Sequence, residues 1–172
     1  MQNLFSYPIV VDDLPSTERR YHLNADKQEL DYLKDVLQVE GVRSFGAEIM
    51  LKLYKKEHRL DVWGRVDAEL ELKSVISLEN FYKTYSPEFK ISFDTKATLK
   101  EIKELEIDFN EDEPDVVVNG QIDLGQIAIE QVALVMEDNP RKEGEVFVFK
   151  SEFDDEDSEK LNPFSVLKKL KK

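Results

Sequence analysis

The chain has 172 residues, enough for one domain with a real hydrophobic core, and no cysteine, which excludes disulfides, thiolate metal sites and thiol nucleophiles. Asp and Glu number 37 against 24 Lys and Arg, a formal net charge of −13 whose field repels phosphate backbones and favours encounter with basic proteins. The stretch Met1 to Pro15 lacks a basic n-region and reaches Asp12 and Asp13 after a short apolar run, and nothing later approaches the ~20 apolar residues of a membrane helix, so a cytoplasmic protein without signal peptide or anchor is expected.

In chain order, "LFSYPIVV" (residues 4–11) reads as a strand, and Pro8 suits an edge position where its missing donor does no harm. After the "DDLPST" turn, "RRYHLN" reads as a second short strand. Asn24 then serves as cap for a helix over residues 25–38, with Leu30, Leu33, Val36 and Leu37 on one face and Gly41 as its stop.

The strongest pattern follows. Phe45, Ala47, Ile49, Leu51 and Leu53 alternate with polar or mixed residues, and beyond "KKEH" the alternation resumes through Leu60, Val62, Gly64, Val66, Ala68, Leu70 and Leu72. Two long strands folded at Lys56 and Glu57 set Leu51 opposite Val62 on the inner face. The outer face then pairs Lys52 with Asp61, Glu48 with Arg65, and Met50 with Trp63. The loop has no Asn-Gly or similar pair, so it is expected to hold about four residues instead of two.

A third strand is expected to run to Phe93, with Tyr85, Phe89, Ile91 and Phe93 sharing parity and Pro87 making its start irregular. Residues 101–115 are dominated by carboxylates and read as a solvated excursion. "DVVV" reads as a strand, "DNPRKEG" as a turn and "EVFVFKSEF" as a last strand. An acidic linker from residue 152 leads into a tail helix capped by Asn162 and ending at Lys172, with Phe164, Leu167 and Leu170 as a narrow apolar stripe. Residues 1–172 are thus expected to form a single domain.

Between these lies "GQIDLGQIAIEQVALVMED". Asp123 with Gln126 three residues on has the spacing of a capping box. Only Gln126, Glu130 and Glu137 form a thin polar stripe; Leu124, Ile127, Ala128, Ile129, Val132, Leu134, Val135 and Met136 fill most of the remainder, with Gln131 the one intruder. Such a helix needs the sheet on one side and a second surface on another: the N-terminal helix, the C-terminal tail, or a partner.

No catalytic motif stands out. The glycine spacing of "GQIDLG" has no Lys-Ser or Lys-Thr after it, so it opens a helix and cradles no phosphate. His22 and His58 lie in different elements, and the acidic runs lack the glycine and terminal glutamate of a calcium loop, so no metal, cofactor or catalytic residue is expected. Trp63 falls on the charged face of the hairpin, either as a partner-binding anchor or packed across the strands against Met50.

Taken together, "GRVDAELELKSVISLENF" and "GQIDLGQIAIEQVALVMEDNPRKEG", with the opening "DDLP" and the closing "NPFSVLKKLK", resemble the YceD family of large ribosomal RNA subunit accumulation proteins. Many members carry Cys-x-x-Cys-Leu-Glu after the long hairpin. Here Ser74 and Ser77 stand in those places, removing the thiolates on which a metal or redox role would rest and leaving hydroxyls that can bond the chain locally. The matched positions Gly120, Ile122, Asp123, Leu124, Pro140 and Arg141 form the signature, and their first reading is capping and packing.

The resemblance implies a non-enzymatic bacterial protein supporting synthesis, processing or stability of large-subunit ribosomal RNA. The fold expected from the residues is α+β: a bent antiparallel sheet or partial barrel around the long hairpin, closed by the helix after Asp123. The expected partner is a basic ribosomal protein or a precursor of the large subunit held by acidic and apolar surface. Two alternatives stand beside it. One is direct RNA contact through Lys55, Lys56, Arg141, Lys142 and the terminal lysines, and the other is a hydrolase with convergent, pKa-shifted carboxylates.

Overall fold

The computed structural model describes residues 4–96, 115–117 and 119–146. The chain divides into two compact units, Met1–Lys142 and Glu143–Lys172, and the sheet and both helices belong to the first. Most of the acidic excursion, the last strand beyond Val146, the acidic linker and the tail helix lie outside the described residues.

The long hairpin is the centre of the fold. Strands β3 (Gly41–Tyr54) and β4 (Arg59–Lys73) flank a four-residue turn, Lys55 to His58. Their register pairs Leu51 with Val62, Lys52 with Asp61, Glu48 with Arg65 and Met50 with Trp63, as the charge and apolar patterns require. The turn opens with a bond from Glu57 N–H to Tyr54 C=O (3.1 Å) and closes with His58 in the left-handed region (φ 50°).

The first strand, β1, is confined to Pro8–Val10 and is followed by a single 3-10 turn, Val11–Asp13. Next, β2 (Arg19–Asn24) pairs antiparallel with β3. The first helix, α1, spans Lys27–Leu37, and its cap is Asp26, not Asn24: the Asp26 carboxylate accepts from the amides of Gln28 and Glu29 while Glu29 reaches back to the Asp26 amide. Asn24 is still held in the β2 ladder opposite Gly46, so it cannot turn the chain. The helix ends on Gln38 in the left-handed conformation, whereas Gly41, expected as the stop, already belongs to β3.

The third strand is two collinear pieces, β5 (Asn80–Tyr85) and β6 (Glu88–Asp94), both antiparallel to β4 and in one unbroken register from Lys73↔Asn80 to Arg59↔Asp94. Pro87, with no N–H to give, interrupts the ladder, yet its carbonyl still accepts from Val66 (3.0 Å). From "DVVV" only Asp115–Val116 is strand, β7, parallel to β6. A strand not legible in the sequence, β8 (Gln121–Asp123), pairs with β1 and leads into α2 (Leu124–Val135).

The main sheet runs β2-β3-β4-β6-β7 with β5 beside β4, and β1-β8 forms a separate pair. Among the described residues it is open, not a barrel: the edge strands β2 and β7 do not pair, and β1 pairs with β8 instead of joining this sheet. Both helices lie against the sheet, α1 on β3 and α2 on β4, and they touch each other. The core that results joins Ile49, Leu51, Leu60, Val62, Val66 and Leu70 of the hairpin with Leu33 of α1, Leu124, Ala128 and Val132 of α2, and Phe5.

Gly64 marks the tightest strand approach. A β-carbon there would lie 2.0 Å from the Glu48 carbonyl oxygen and 2.9 Å from Ile49 Cα, both backbone atoms that cannot rotate away. Gly64→Ala is therefore expected to destabilise the fold by about 3 kcal/mol, read as a lowered midpoint in urea unfolding. An unchanged midpoint would mean the strands can separate there at no cost.

Candidate functional site

The signature positions after β7 converge on Asp123. Gly120 takes φ +70° in the turn, its carbonyl accepts from Val11 N–H (3.0 Å), and Ile122 is buried opposite Ile9. One Asp123 oxygen accepts from the amides of Gly125 (2.9 Å), Gln126 (3.2 Å) and Tyr7 (2.9 Å), and the other accepts from the Ser6 hydroxyl (2.5 Å). The cap is thus also the latch for the N-terminal segment. Leu124 N–H donates to Tyr7 C=O, and Gly125 packs so closely that a β-carbon would sit 2.3 Å from the Phe5 carbonyl. Only the Asp123 half of a capping box is made, and the Gln126 side-chain Nε2 donates to Glu130 (2.9 Å).

The other signature segments meet at the far end of β4. Ser74 is fully buried, and its hydroxyl accepts from the amides of Ile76 (3.1 Å) and Ser77 (3.3 Å); Ser77 does the same for Glu79 (3.4 Å). Leu78, at φ 62°, completes the tight knuckle. "SVISLE" then docks on the turn after α2: Val75 N–H donates to Pro140 C=O (3.0 Å) and Lys142 pairs with Glu79 (2.5 Å). The serines do the local bonding expected of them, and Pro140 acts through its carbonyl. Arg141 is exposed.

Two concave surfaces flank this frame. On the outer face of the sheet a trough of about 930 Å³ has Trp63, Met50 and Tyr54 along its floor. Trp63 is half-buried, between Met50 on β3 and Lys90 on β6 in register. Five carboxylates line the trough, from Glu18, Glu48, Asp61, Asp67 and Glu88, against three bases, Lys52, Arg65 and Lys90. Several are already paired: Arg20 with Glu48 (2.5 Å), Arg65 with Asp67 (2.7 Å), and Arg59 with the buried Asp61 (3.0 Å).

The second surface is a groove of about 580 Å³ between the C-terminal ends of α1 and α2. It shows what the apolar α2 is buried against and where that cover ends. Leu124, Ile127, Ala128, Ile129 and Val132 are buried against β4, α1 and β1, but Ala133, Leu134 and Val135 emerge into solvent, Leu134 at 76% exposure. The thin polar stripe of Gln126, Glu130 and Glu137 runs along the groove.

The resolved shifts among the described carboxylates are all downward. The Arg20 guanidinium holds Glu48 below the usual carboxylate range, and the Ser86 hydroxyl, followed by Arg65, does so for Asp67. A general acid needs the opposite displacement. Glu137 is also lowered, first by Lys83 and then by the Tyr85 hydroxyl, while burial, followed by Glu137, pushes the Tyr85 phenol up. His22 lies 3.7 Å from a Glu48 oxygen and His58 sits in the hairpin turn, so the two histidines share no site. Among the described residues no cluster of His, Asp and Glu is arranged to hold a metal ion, and no helix is long and apolar enough to cross a membrane.

Of the basic residues suggested for RNA contact, the terminal lysines lie outside the described residues, and the four that are described do not form one patch. Lys55 and Lys56 occupy the hairpin turn, whereas Arg141 and Lys142 lie beside the knuckle at the other end of the 15-residue β4. At about 3.3 Å per residue that separation approaches 50 Å.

An open, mostly antiparallel sheet covered on one face by two helices, with an acid-lined trough on the other, defines an α+β domain. Residues 62–171 match the model of the family described as large ribosomal RNA subunit accumulation protein YceD, and the chain belongs to that family. No curated protein matches the chain, and no solved structure does.

Two measurements check the frame. Ser74→Ala removes the acceptor of the part-buried amides of Ile76 and Ser77, and a loss of about 1 kcal/mol is expected in urea unfolding. Tyr85→Phe removes the bond to Glu137 (2.7 Å) and is expected to cost about 1 kcal/mol near neutrality. Because Glu137 titrates lower in the folded state, this cost is full above the ordinary glutamate value of 4.5 and fades as pH falls through the depressed folded value. A cost that is flat from neutral to acid pH would exclude Glu137 as the partner.

Proposed function

We propose that this protein is a non-enzymatic assistant to large ribosomal subunit biogenesis, holding a basic ribosomal protein or an assembly intermediate that contains one. The observation that carries this reading is the family match over residues 62–171, whose description ties the family to accumulation of the large ribosomal RNA. Charge supports the binding mode: the net −13 speeds encounter with basic partners and disfavours bare phosphate. Geometry supports it as well. Carboxylates held in the ionised form by Arg20 and Ser86 line a trough whose floor is Trp63, the only tryptophan of the chain. A large half-buried aromatic side chain ringed by charge is a common anchor for a partner's cationic or apolar side chain.

In the mechanism proposed, the acidic surface stands in for ribosomal RNA, screening the partner's lysines and arginines until RNA displaces the protein. Such a complex forms fast and dissolves as ionic strength rises. Capture on the immobilised full chain from cell extract at low salt is expected to enrich large-subunit proteins over small-subunit ones, with enrichment surviving ribonuclease and falling several-fold for Trp63→Ala. Equal recovery of both subunits would overturn the reading. Loss of all capture after ribonuclease would instead favour direct RNA contact.

A further inference from the structure

We infer that the groove between the C-terminal ends of α1 and α2 is a docking site for one short, basic amphipathic helix of a partner protein. This deepens the function proposed above and rests on it for the partner being basic.

Three features point to that occupant. First, the floor is apolar and open to solvent on a helix whose composition calls for cover: Val36, Val39, Ala133 and Met136 line it, with Val36 at 40% exposure. A helix laid between two others packs its ridges into such a floor through residues spaced three and four apart. Second, the rim is anionic. Glu40, Glu130 and Asp138 stand on it with no cationic partner among the described residues, Glu137 is already engaged by Lys83 and Tyr85, and Lys73 is the one basic residue of the lining.

Third, both helices turn the negative ends of their dipoles toward the groove. Leu37 and Gln38 close α1 there, Met136 closes α2, and the last turn of α2 contains no basic residue to offset its carbonyls. Apolar floor, rim carboxylates and two helix C-termini all select a ligand with an apolar stripe edged by lysine or arginine. An acidic or purely polar helix would meet repulsion at the rim and bury nothing on the floor.

The test uses the full chain and a fluorescent peptide of about 14 residues, some four helical turns, with leucines on one face and lysines on the other. A matched peptide with glutamates in place of lysines is the control. Binding of the lysine peptide alone is expected, with amide NMR shifts at Gln38, Val39, Ala133 and Met136. The double variant Glu130→Lys with Asp138→Lys is expected to weaken it roughly tenfold, because both changes reverse exposed rim charges. Ala133→Gln, which puts a polar side chain on the floor without changing charge, should weaken it as well.

Trp63 gives an internal discriminator, since it lies in the other trough. A shift in its emission on peptide binding, without a response from α2, would overturn the inference, as would unchanged binding in both variants. The same variants are then used in capture from extract. Loss of peptide binding with undiminished recovery of large-subunit proteins would refute the groove as the route while leaving the ribosomal reading intact. Peptide binding in the groove with no large-subunit recovery by any form would sustain the groove and refute the ribosomal reading.

Discussion

The register of the β3–β4 hairpin is the constraint on which everything else in this unit depends. Pairing Leu51 with Val62 puts Leu60, Val66, Leu70, Ile49 and Leu53 on one face and Glu48, Lys52, Asp61 and Arg65 on the other. A slip of one residue would exchange those faces. The cost is easily ordered: each buried leucine, isoleucine or valine is worth about 1.5–3 kcal/mol, while an exposed ion pair is worth at most about 1 kcal/mol. The apolar face therefore sets the register, and the cross-strand charges on the outer face agree with it without deciding it. Gly64 then permits the closest approach of the two strands.

With the hairpin fixed, α2 has a defined seat, and Asp123 determines how it arrives. Its carboxylate binds two helix amides and the Tyr7 amide together, so the start of α2 and the N-terminal segment are positioned by one group. The position looks like an ordinary helix cap in the sequence, and it is one, but the same oxygen also joins chain segments 116 residues apart. The serine knuckle plays a comparable part at the other end of β4, where Ser74 closes a tight turn and Val75 binds Pro140. The family's recognisable residues thus lie at the two attachments of α2 to the sheet. The contacts described for Gly120, Ile122, Asp123, Leu124 and Pro140 are capping, packing and backbone bonds, while Arg141 is exposed.

The two concave surfaces differ in kind. The outer trough mixes charges, many already satisfied by neighbours across the strands, around a central tryptophan. The groove between the helix ends has an apolar floor, an anionic rim and the negative ends of two helices. Lys55 and Lys56 stand at the opposite end of β4 from Arg141 and Lys142, so these four do not combine into a comparable cationic surface.

The sequence by itself determined the long hairpin, its register and its four-residue turn, because period-two alternation over two strands sorts one apolar set onto the inner face and the cross-strand charges agree with a fold at the polar "KKEH" stretch. It also determined the two helices and the parity of Tyr85, Phe89, Ile91 and Phe93, since each is written in local spacing, and its resemblance to the family agrees with the match over residues 62–171. Only the tertiary structure decided where those elements end and meet. Asn24 has the chemistry of a cap, but strand pairing with Gly46 held it and passed the role to Asp26. β8, hidden in a helix-opening motif, pairs with β1 apart from the main sheet. The emergence of Ala133, Leu134 and Val135 into solvent was invisible in the apolar run, because periodicity reports which face of a helix is greasy and not how far along its length a neighbour extends.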